Sequence, residues 1–411
     1  MQTNLADFIK DTPEGQEADA ILRKCVHCGF CLATCPTYNL LGDELDSPRG
    51  RIYLMKQMLE GEPVTEKTQL HLDRCLTCRS CETTCPSGVQ YGRLVDIGRD
   101  LVEKSVGRSS GEGLKRYVLR TGLASPGLFS AGLALGRAFK ALLPDTLARK
   151  IPAKRVAGTW PASTHARTML VLDGCVQPAL APDINAATAR VLDRLGIALV
   201  KAANAGCCGA LAHHLNAQQE ALGAVKRNID AWWPHVEAGA EAIVITASGC
   251  GTMVHEYGHL LRNDPVYAEK AERISALSRD VSEVIGNERE KLGTLLRAAN
   301  GSSKRKVAFH SPCSLQHGLK IRGLAEGLLR DAGFELTTVP DAHLCCGSAG
   351  SYSLLQPALS QELLKNKVTA LESGHPEMIA TANIGCLTHI ESGSAKPVQH
   401  WIELLDARLG A

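Results

Sequence analysis

The chain has 411 residues, and this length predicts roughly two to three domains rather than one core. Its 45 Lys and Arg residues nearly balance its 43 Asp and Glu residues, so no basic excess favours nucleic acid as a partner and no acidic excess indicates a disordered chain. The 16 cysteines predict metal or redox chemistry rather than disulfides, because the first residues show no secretory signal and cytosolic thiols stay reduced.

The first motif in the chain is a cysteine loop, which reads Cys25-x-x-Cys28-x-x-Cys31-x-x-x-Cys35-Pro36. The loop recurs 50 residues later as Cys75-x-x-Cys78-x-x-Cys81-x-x-x-Cys85-Pro86, so this region contains an internal repeat. Three closely spaced thiolates can hold three corners of a 4Fe-4S cluster, and the fourth thiolate must come from elsewhere. Zinc also accepts Cys-x-x-Cys pairs, but it fits this spacing poorly. The repeat therefore predicts two 4Fe-4S clusters.

The proline that follows the last cysteine of each loop predicts how the ligands are shared. In bacterial two-cluster ferredoxins, the cysteine before this proline ligates the cluster of the other loop. Applied here, the rule predicts one cluster on Cys25, Cys28, Cys31 and Cys85. It predicts a second cluster on Cys75, Cys78, Cys81 and Cys35. His27 is then a bystander, because each cluster already has four thiolates.

Helical segments are predicted between and after the two loops. Ser47 as the N-cap and Pro48 at the first helical position begin a helix that Gly61 ends. Residues 106–167 are predicted to form a linker with one amphipathic helix over Gly127–Leu143. A membrane surface and a partner subunit are both open as the contact of this helix. The uncharged stretch 121–136 contains a proline and is too short to cross a membrane.

Short apolar strands alternate with helices from residue 168 onward, which is the order of an α/β fold. The succession occurs twice, over 168–300 and 301–411, and each copy has four cysteines in the same order. These candidate metal or redox thiols are Cys175, Cys207, Cys208, Cys250, Cys313, Cys345, Cys346 and Cys386. Three interpretations stay open for each copy: a four-thiolate cluster, a pocket of reduced thiols or a structural zinc.

Two kinds of enzyme motif could compete with this scheme. His255-Glu256-Tyr257-Gly258-His259 matches the zinc-protease pattern, but glycine weakens the helix and the second copy has no such pair, so a chance match is favoured. The chain has no Gly-x-Gly-x-x-Gly after a strand and no P-loop sequence. We therefore expect no flavin on this chain.

The Cys-Cys-Gly sequences at 207–209 and 345–347 resemble those of the cysteine-rich domain family to which heterodisulfide reductase is related. In the heterodisulfide reductase pattern another cysteine follows the last one after two residues, whereas this chain has Met253 and His389 there. The predicted fold class is α+β and multi-domain: a helical, ferredoxin-like two-cluster domain over residues 1–105, the linker, and two repeated α/β cysteine-rich modules.

Over almost its whole length, the chain resembles the family of bacterial glycolate oxidase iron-sulfur subunits. The resemblance is carried by segments that include 25–31, 41–45, 48–54, 71–78, 229–233 and 381–386. It implies an electron carrier with no catalytic residue, which passes electrons from FAD-bearing subunits that oxidise glycolate to glyoxylate on to a quinone or another respiratory acceptor. It implies a hetero-oligomer. The lack of a secretory signal predicts a cytoplasmic chain, and the amphipathic helix leaves open a peripheral contact with the inner face of the membrane.

One alternative to this function is the same electron-carrier role in a lactate dehydrogenase or an anaerobic glycerol-3-phosphate dehydrogenase. Thiol chemistry in the cysteine-rich modules, as in heterodisulfide reductase, is the other.

Overall fold

The structure is a computed structural model that describes residues 1–142, 151–299 and 304–410. Residues 1–106 are mainly helical. Their α-helices are α1 (Pro13–Lys24), α2 (Pro36–Leu41), α3 (Pro48–Leu59), α4 (Glu66–Asp73), α5 (Ser80–Thr84) and α6 (Tyr91–Val106). Helix α3 confirms the helix predicted after Ser47, whose Oγ accepts a hydrogen bond from the Gly50 amide at 2.9 Å. Buried side chains of α1, α3 and α6 form a separate core around the cysteine loops.

The linker contains two α-helices rather than the single one predicted. They are α7 (Ser110–Ala124) and α8 (Pro126–Ala138), and they meet at an angle of 98°. Proline is favoured at the first position of a helix but cannot continue one, so Pro126 ends α7 and begins α8. The predicted helix extended to Leu143, which lies outside the described residues.

No single helix in the described ranges is long and apolar enough to cross a membrane, although the bent pair α7 and α8 reaches the required length and composition when taken together.

The first cysteine-rich module is built on a parallel sheet of β1 (Arg167–Val171), β2 (Ile197–Lys201), β3 (Ile243–Ile245) and β4 (Ser278–Asp280), in the order β2-β1-β3-β4. Its helices are α9 (Gln177–Leu180), α10 (Asp183–Arg194), α11 (Ala210–His214), α12 (Gln218–Glu237), α13 (Ser248–His255), α14 (Tyr257–Leu260), α15 (Ala268–Leu277), α16 (Val281–Asn287) and α17 (Arg289–Ala298). The helices cover both faces of the sheet, which explains why its central strands are continuously apolar.

The second module repeats this topology with β5 (Lys306–His310), β6 (Glu335–Leu336), β7 (Met378–Thr381) and β8 (Val398–His400), in the order β6-β5-β7-β8. Its helices are α18 (Leu324–Asp331), α19 (Tyr352–Leu355), α20 (Pro357–Glu372), α21 (Ile384–Glu391) and α22 (Trp401–Gly410). The two matching sheets confirm the predicted repeat of α/β modules. One buried core contains side chains from both modules, so the two pack as a unit.

Candidate metal centres

The predicted ligands of the first cluster lie around one cavity. Its lining includes Cys25, Cys28, Cys31 and Cys85, together with Cys81 and Tyr91. A second cavity is lined by Cys35, Cys75, Cys78 and Cys81, together with Arg51 and Tyr91. Cys35 thus lies with the second loop, and Cys85 lies with the first. This exchange is the arrangement that the ferredoxin rule predicts, while the assignment of the ligands stays a prediction.

Both cysteine loops turn in the same way. The backbone has a positive φ at Gly29 (85°) and at its repeat counterpart Arg79 (58°). It also has a positive φ at His27 (54°) and at its counterpart Thr77 (53°). This left-handed conformation suits glycine and costs other residues about 1–2 kcal/mol, so the loops contain local strain that a bound group could offset.

The donor chemistry of the two cavities fits an iron-sulfur cluster. Burial raises the pKa of the Cys31 thiol to about 11 and raises the pKa of Cys78 and Cys81 well above the usual value. Free thiolates are therefore costly here, whereas a bound cluster would stabilise them. Polar groups also face the sulfurs: the Tyr91 hydroxyl donates to Cys75 Sγ at 3.6 Å, and Arg51 Nη1 lies 4.0 Å from Cys35 Sγ.

Arg51 belongs to a buried ionic network behind the second cavity. Its guanidinium donates to Asp46 Oδ1 at 3.2 Å and to the His71 carbonyl at 2.7 Å, and both charged side chains are at most 1% exposed. Arg74 provides a second cation for Asp46 at 2.8 Å. The network fixes a positive charge beside the predicted ligand Cys35.

The two cavities differ in their surroundings. Cys28, which lines the first, is exposed, and the neighbouring Val26 and Phe30 are 67% and 63% exposed. The second cavity is covered by the second module. Cys78 of the cysteine loop packs there with Cys313 and Cys345 of the module in a small apolar cluster. The first cavity therefore opens at the surface, and the second faces the protein interior.

Each cysteine-rich module brings its four thiols together. Because the carboxyl ends of parallel strands meet at one edge of a sheet, the cysteines that follow the strands converge there. In the first module, Cys207 contacts Cys175 and Cys208, and Cys208 contacts Cys250.

In the second module, the Cys313 and Cys345 sulfurs are 3.8 Å apart. Cys346 contacts both Cys345 and Cys386. The thiols of each module thus form a continuous group at one edge of the sheet.

Comparison with known proteins agrees with this arrangement. The family model of a cysteine-rich domain matches residues 169–255 and 307–391, and the model of a 4Fe-4S dicluster domain matches residues 21–89. The chain is 56% identical over 411 residues to the glycolate oxidase iron-sulfur subunit of Escherichia coli, covering 100% of this chain and 99% of that protein. The chain belongs to the family of glycolate oxidase iron-sulfur subunits.

Two further relatives are more distant. The probable glycolate oxidase iron-sulfur subunit of Bacillus subtilis is 31% identical over 90% of this chain and 89% of that protein. Lactate utilization protein A of Bacillus velezensis is 29% identical over 57% of this chain and 97% of that protein. Membership of the glycolate oxidase iron-sulfur family confirms the predicted class: the chain is an iron-sulfur subunit of an oxidoreductase.

In the part of the chain that the structure describes, the residues of the zinc-protease pattern do not form a metal-binding group. Helix α13 ends at His255, which is exposed, and Glu256 pairs with Arg79 at 3.1 Å and Arg93 at 3.0 Å. His259 Nε2 lies 3.2 Å from a carboxylate oxygen of Glu17. The motif instead links the N-terminal helices to the first module.

Two residues at the candidate centres were missed by sequence reasoning. Tyr91 has no sequence signal, because its contact with Cys75 depends on how α6 packs. His310, which lies beside Cys346 and Cys386, could have been found by aligning the two modules, since it stands three residues before Cys313 where the first module has Leu172 before Cys175.

Proposed function

We propose that the chain is the electron-transfer subunit of a glycolate-oxidising complex. In this proposal, FAD-bearing subunits oxidise glycolate to glyoxylate, and the electrons continue to a quinone or another respiratory acceptor. The observation that carries it is the adjacency of the two cysteine-lined cavities, which share Cys81 and Tyr91 in their walls. Bound 4Fe-4S clusters supply one-electron transfer.

Eight cysteines would hold the two clusters. The first set is Cys25, Cys28, Cys31 and Cys85, and the second is Cys75, Cys78, Cys81 and Cys35. Around the second set, Tyr91 and Arg51 direct a hydroxyl and a guanidinium toward ligand sulfurs. Such groups stabilise negative charge on the sulfurs and so favour the reduced state. The predicted division into domains, with residues 1–105 holding both clusters, is part of the proposal.

The exposed rim of the first cavity is the proposed contact for the flavin-bearing donor. Val26 and Phe30 are large apolar side chains that stand in solvent next to Cys28. Exposed apolar side chains beside a redox site favour a protein contact that excludes water. In this proposal electrons reach the second cavity, which the second module covers, after the first.

This contact is testable with Phe30→Ser in the assembled complex. We expect the variant to retain its iron but to slow the reduction of its clusters by glycolate. Leu114→Ser, which changes an exposed apolar residue on α7, is the matched control. Equal reduction rates in wild type and Phe30→Ser would refute the contact.

Helix α8 is the proposed site of peripheral membrane contact. Its Leu128 and Leu135 are 58% and 61% exposed, and Phe139 and Leu142 follow it in exposed positions. Flotation of the purified chain with liposomes that contain anionic lipid would support this contact. Recovery of the chain only in the lipid-free fraction would contradict it.

Iron and sulfide analysis of anaerobically purified protein, combined with EPR, tests the central proposal. About eight irons per chain correspond to two 4Fe-4S clusters, and distinctly more would mean that the cysteine-rich modules also hold iron. Co-purified flavoproteins should then be assayed with glycolate, lactate and glycerol 3-phosphate. The similarity to lactate utilization protein A makes lactate the second candidate substrate of the complex. Reduction of the clusters by lactate but not by glycolate would replace the proposed function with that one.

A further inference from the structure

A buried histidine joins the thiols of the second module. His310 ends β5, and one of its ring nitrogens and the sulfurs of Cys346 and Cys386 all lie within 4.8 Å of one another. The three residues are 2%, 0% and 4% exposed, respectively. His310 Nε2 is fully buried and has no hydrogen-bond partner among the described residues. A buried imidazole nitrogen without a partner is unfavourable, so the arrangement favours a bound group at this point.

Neighbouring polar groups already have partners of their own. His389 Nε2 lies 3.2 Å from Ser360 Oγ, and Lys367 Nζ donates to the Asp341 carbonyl at 2.8 Å. These groups therefore leave His310 free for the thiols.

The first module lacks this histidine. The strand registers place Ala308 opposite Ile379 and Leu170 opposite Ile243, so the position of His310 corresponds to Leu172. Leu172 is 3% exposed and packs in an apolar core with Cys208. The two modules thus share four thiols each but differ in their capacity to provide a nitrogen ligand.

A second difference between the modules also places a histidine in the second module near the site. His389 of the second module stands where the first has Met253, at the same distance after the last cysteine. Both of these positions are therefore apolar in the first module and histidine in the second.

We propose that the second module binds one Zn²⁺ ion through His310, Cys346 and Cys386, and that the first module has no equivalent site. Zinc is the metal that best accepts both thiolate and neutral imidazole, and its structural sites are tetrahedral. Cys345 is the proposed fourth ligand: its thiol contacts that of Cys346 but is not within 4.8 Å of all three other ligand atoms, so its side chain would have to rotate toward the ion. Asn383 Nδ2 lies 3.4 Å from Cys386 Sγ and supports this ligand from outside.

Zinc has no redox chemistry, so the ion would stabilise the module rather than carry electrons. The proposal is independent of the substrate of the complex and of the clusters on the N-terminal cysteines. It also separates the roles of the two modules, which the shared Cys-Cys-Gly sequence alone would treat as equal.

Metal analysis of the full chain tests this site. The protein is purified anaerobically, its iron-sulfur clusters are reconstituted, and loosely bound metal is removed with EDTA before zinc is measured. We expect about one zinc per chain in the wild type and a loss to background in His310→Leu, which introduces the residue of the first module. The matched control is His389→Met, which also introduces the first module's residue and should keep the zinc.

X-ray absorption at the zinc edge provides the second measurement. The wild type should show one nitrogen near 2.0–2.1 Å and sulfurs near 2.3 Å, approximately the distances of structural zinc sites. His310→Cys should retain the zinc and lose the nitrogen scatterer, which decides the case if His310→Leu does not fold. A wild type without zinc, or variants whose zinc content and nitrogen scatterer are unchanged, would overturn the proposal.

Discussion

At the scale of single residues, the buried Arg51 and Asp46 illustrate how the N-terminal region depends on paired charges. Removing one partner of a buried ion pair leaves the other charge without compensation, which is strongly destabilising. Asp46 has a second cation in Arg74, but Arg51 also donates to the His71 carbonyl. The network therefore ties the segment before α3 to α4, next to the second cysteine cavity.

The substitution Arg51→Met tests this dependence. We expect the free energy of unfolding to fall by about 3–5 kcal/mol, because Asp46 loses a partner in a fully buried position. Arg49→Met, two residues earlier on the same helix, removes a half-exposed pair with Glu44 and should cost less than about 1 kcal/mol. Anaerobic urea denaturation measures both values. Equal losses for the two variants would contradict the role of the buried network.

The backbone geometry explains why each Cys-Cys-Gly sequence contains glycine. Gly347 has a φ of +90°, and a Cβ at this position would lie 2.7 Å from the Ser360 carbonyl of α20. Gly209 of the first module has a φ of +91° and a similar approach, 3.0 Å, to the Ala221 carbonyl of α12. In both modules the absent side chain allows the cysteine pair to turn tightly against a helix.

We expect Gly347→Ala to destabilise the second module by more than the 1–2 kcal/mol, roughly, that a left-handed conformation costs by itself. Gly350→Ala is the matched control, since its φ is +62° but no atom lies within 4 Å of the added Cβ. Thermal unfolding of both variants separates conformational strain from steric overlap. Similar melting temperatures for the two would show that the close approach to α20 is unimportant.

At the scale of elements, a carboxylate and a histidine join α6 to α11. His213 Nε2 lies 3.3 Å from Asp96 Oδ2. Burial alone would raise the pKa of Asp96, but His213 and His214 hold it well below its usual value. Burial alone would lower the pKa of His213, but Asp96 raises it above its usual value. The contact therefore stabilises the packing of the N-terminal helices on the first module while both groups are charged.

This contact predicts a pH dependence of stability. The raised pKa of His213 contributes stability below about pH 6.5, and this contribution is lost as the pH rises through the pKa of the folded state. The depressed pKa of Asp96 contributes stability above about pH 4, and this contribution is lost as the pH falls. Asp96→Asn should lower the melting temperature most between about pH 4 and pH 6.5, where both contributions are present, and should remove the decline on either side of this range. Asp100→Asn, one turn later on the surface of α6, should not, and an unchanged profile in Asp96→Asn would contradict the argument.

At the scale of the whole molecule, the exchange of Cys35 and Cys85 between the loops makes a prediction about spectra. Cys35→Ser should damage the same cluster as Cys78→Ser, although Cys35 belongs to the first loop in sequence. The EPR spectrum of Cys35→Ser should therefore match that of Cys78→Ser and differ from that of Cys28→Ser. A match with Cys28→Ser would show that each loop holds its own cluster.

Sequence reasoning reached the features that depend on spacing or period. Two cysteine loops, two α/β modules and the helix after Ser47 all follow from local patterns, and the structure agrees with each as a fold. It failed where contacts join distant segments. Arg79 meets Glu256 across 177 positions, and Cys78 meets Cys313 only because the second module folds back on the N-terminal helices. No periodicity in the chain encodes such pairings.

The position of the second cavity under the second module has a consequence for biogenesis. Leu76 and Cys78 pack with Cys345 and Tyr352, and the Tyr352 hydroxyl donates to the Arg74 carbonyl at 3.2 Å. A cluster bound at that depth, as proposed, would need the second module to be unfolded or displaced while it is inserted. A cluster in the first cavity, beside the exposed Cys28, would need no such movement. Insertion at the inner centre would then depend on when the second module folds, and we expect oxygen to destroy the outer centre before the inner one.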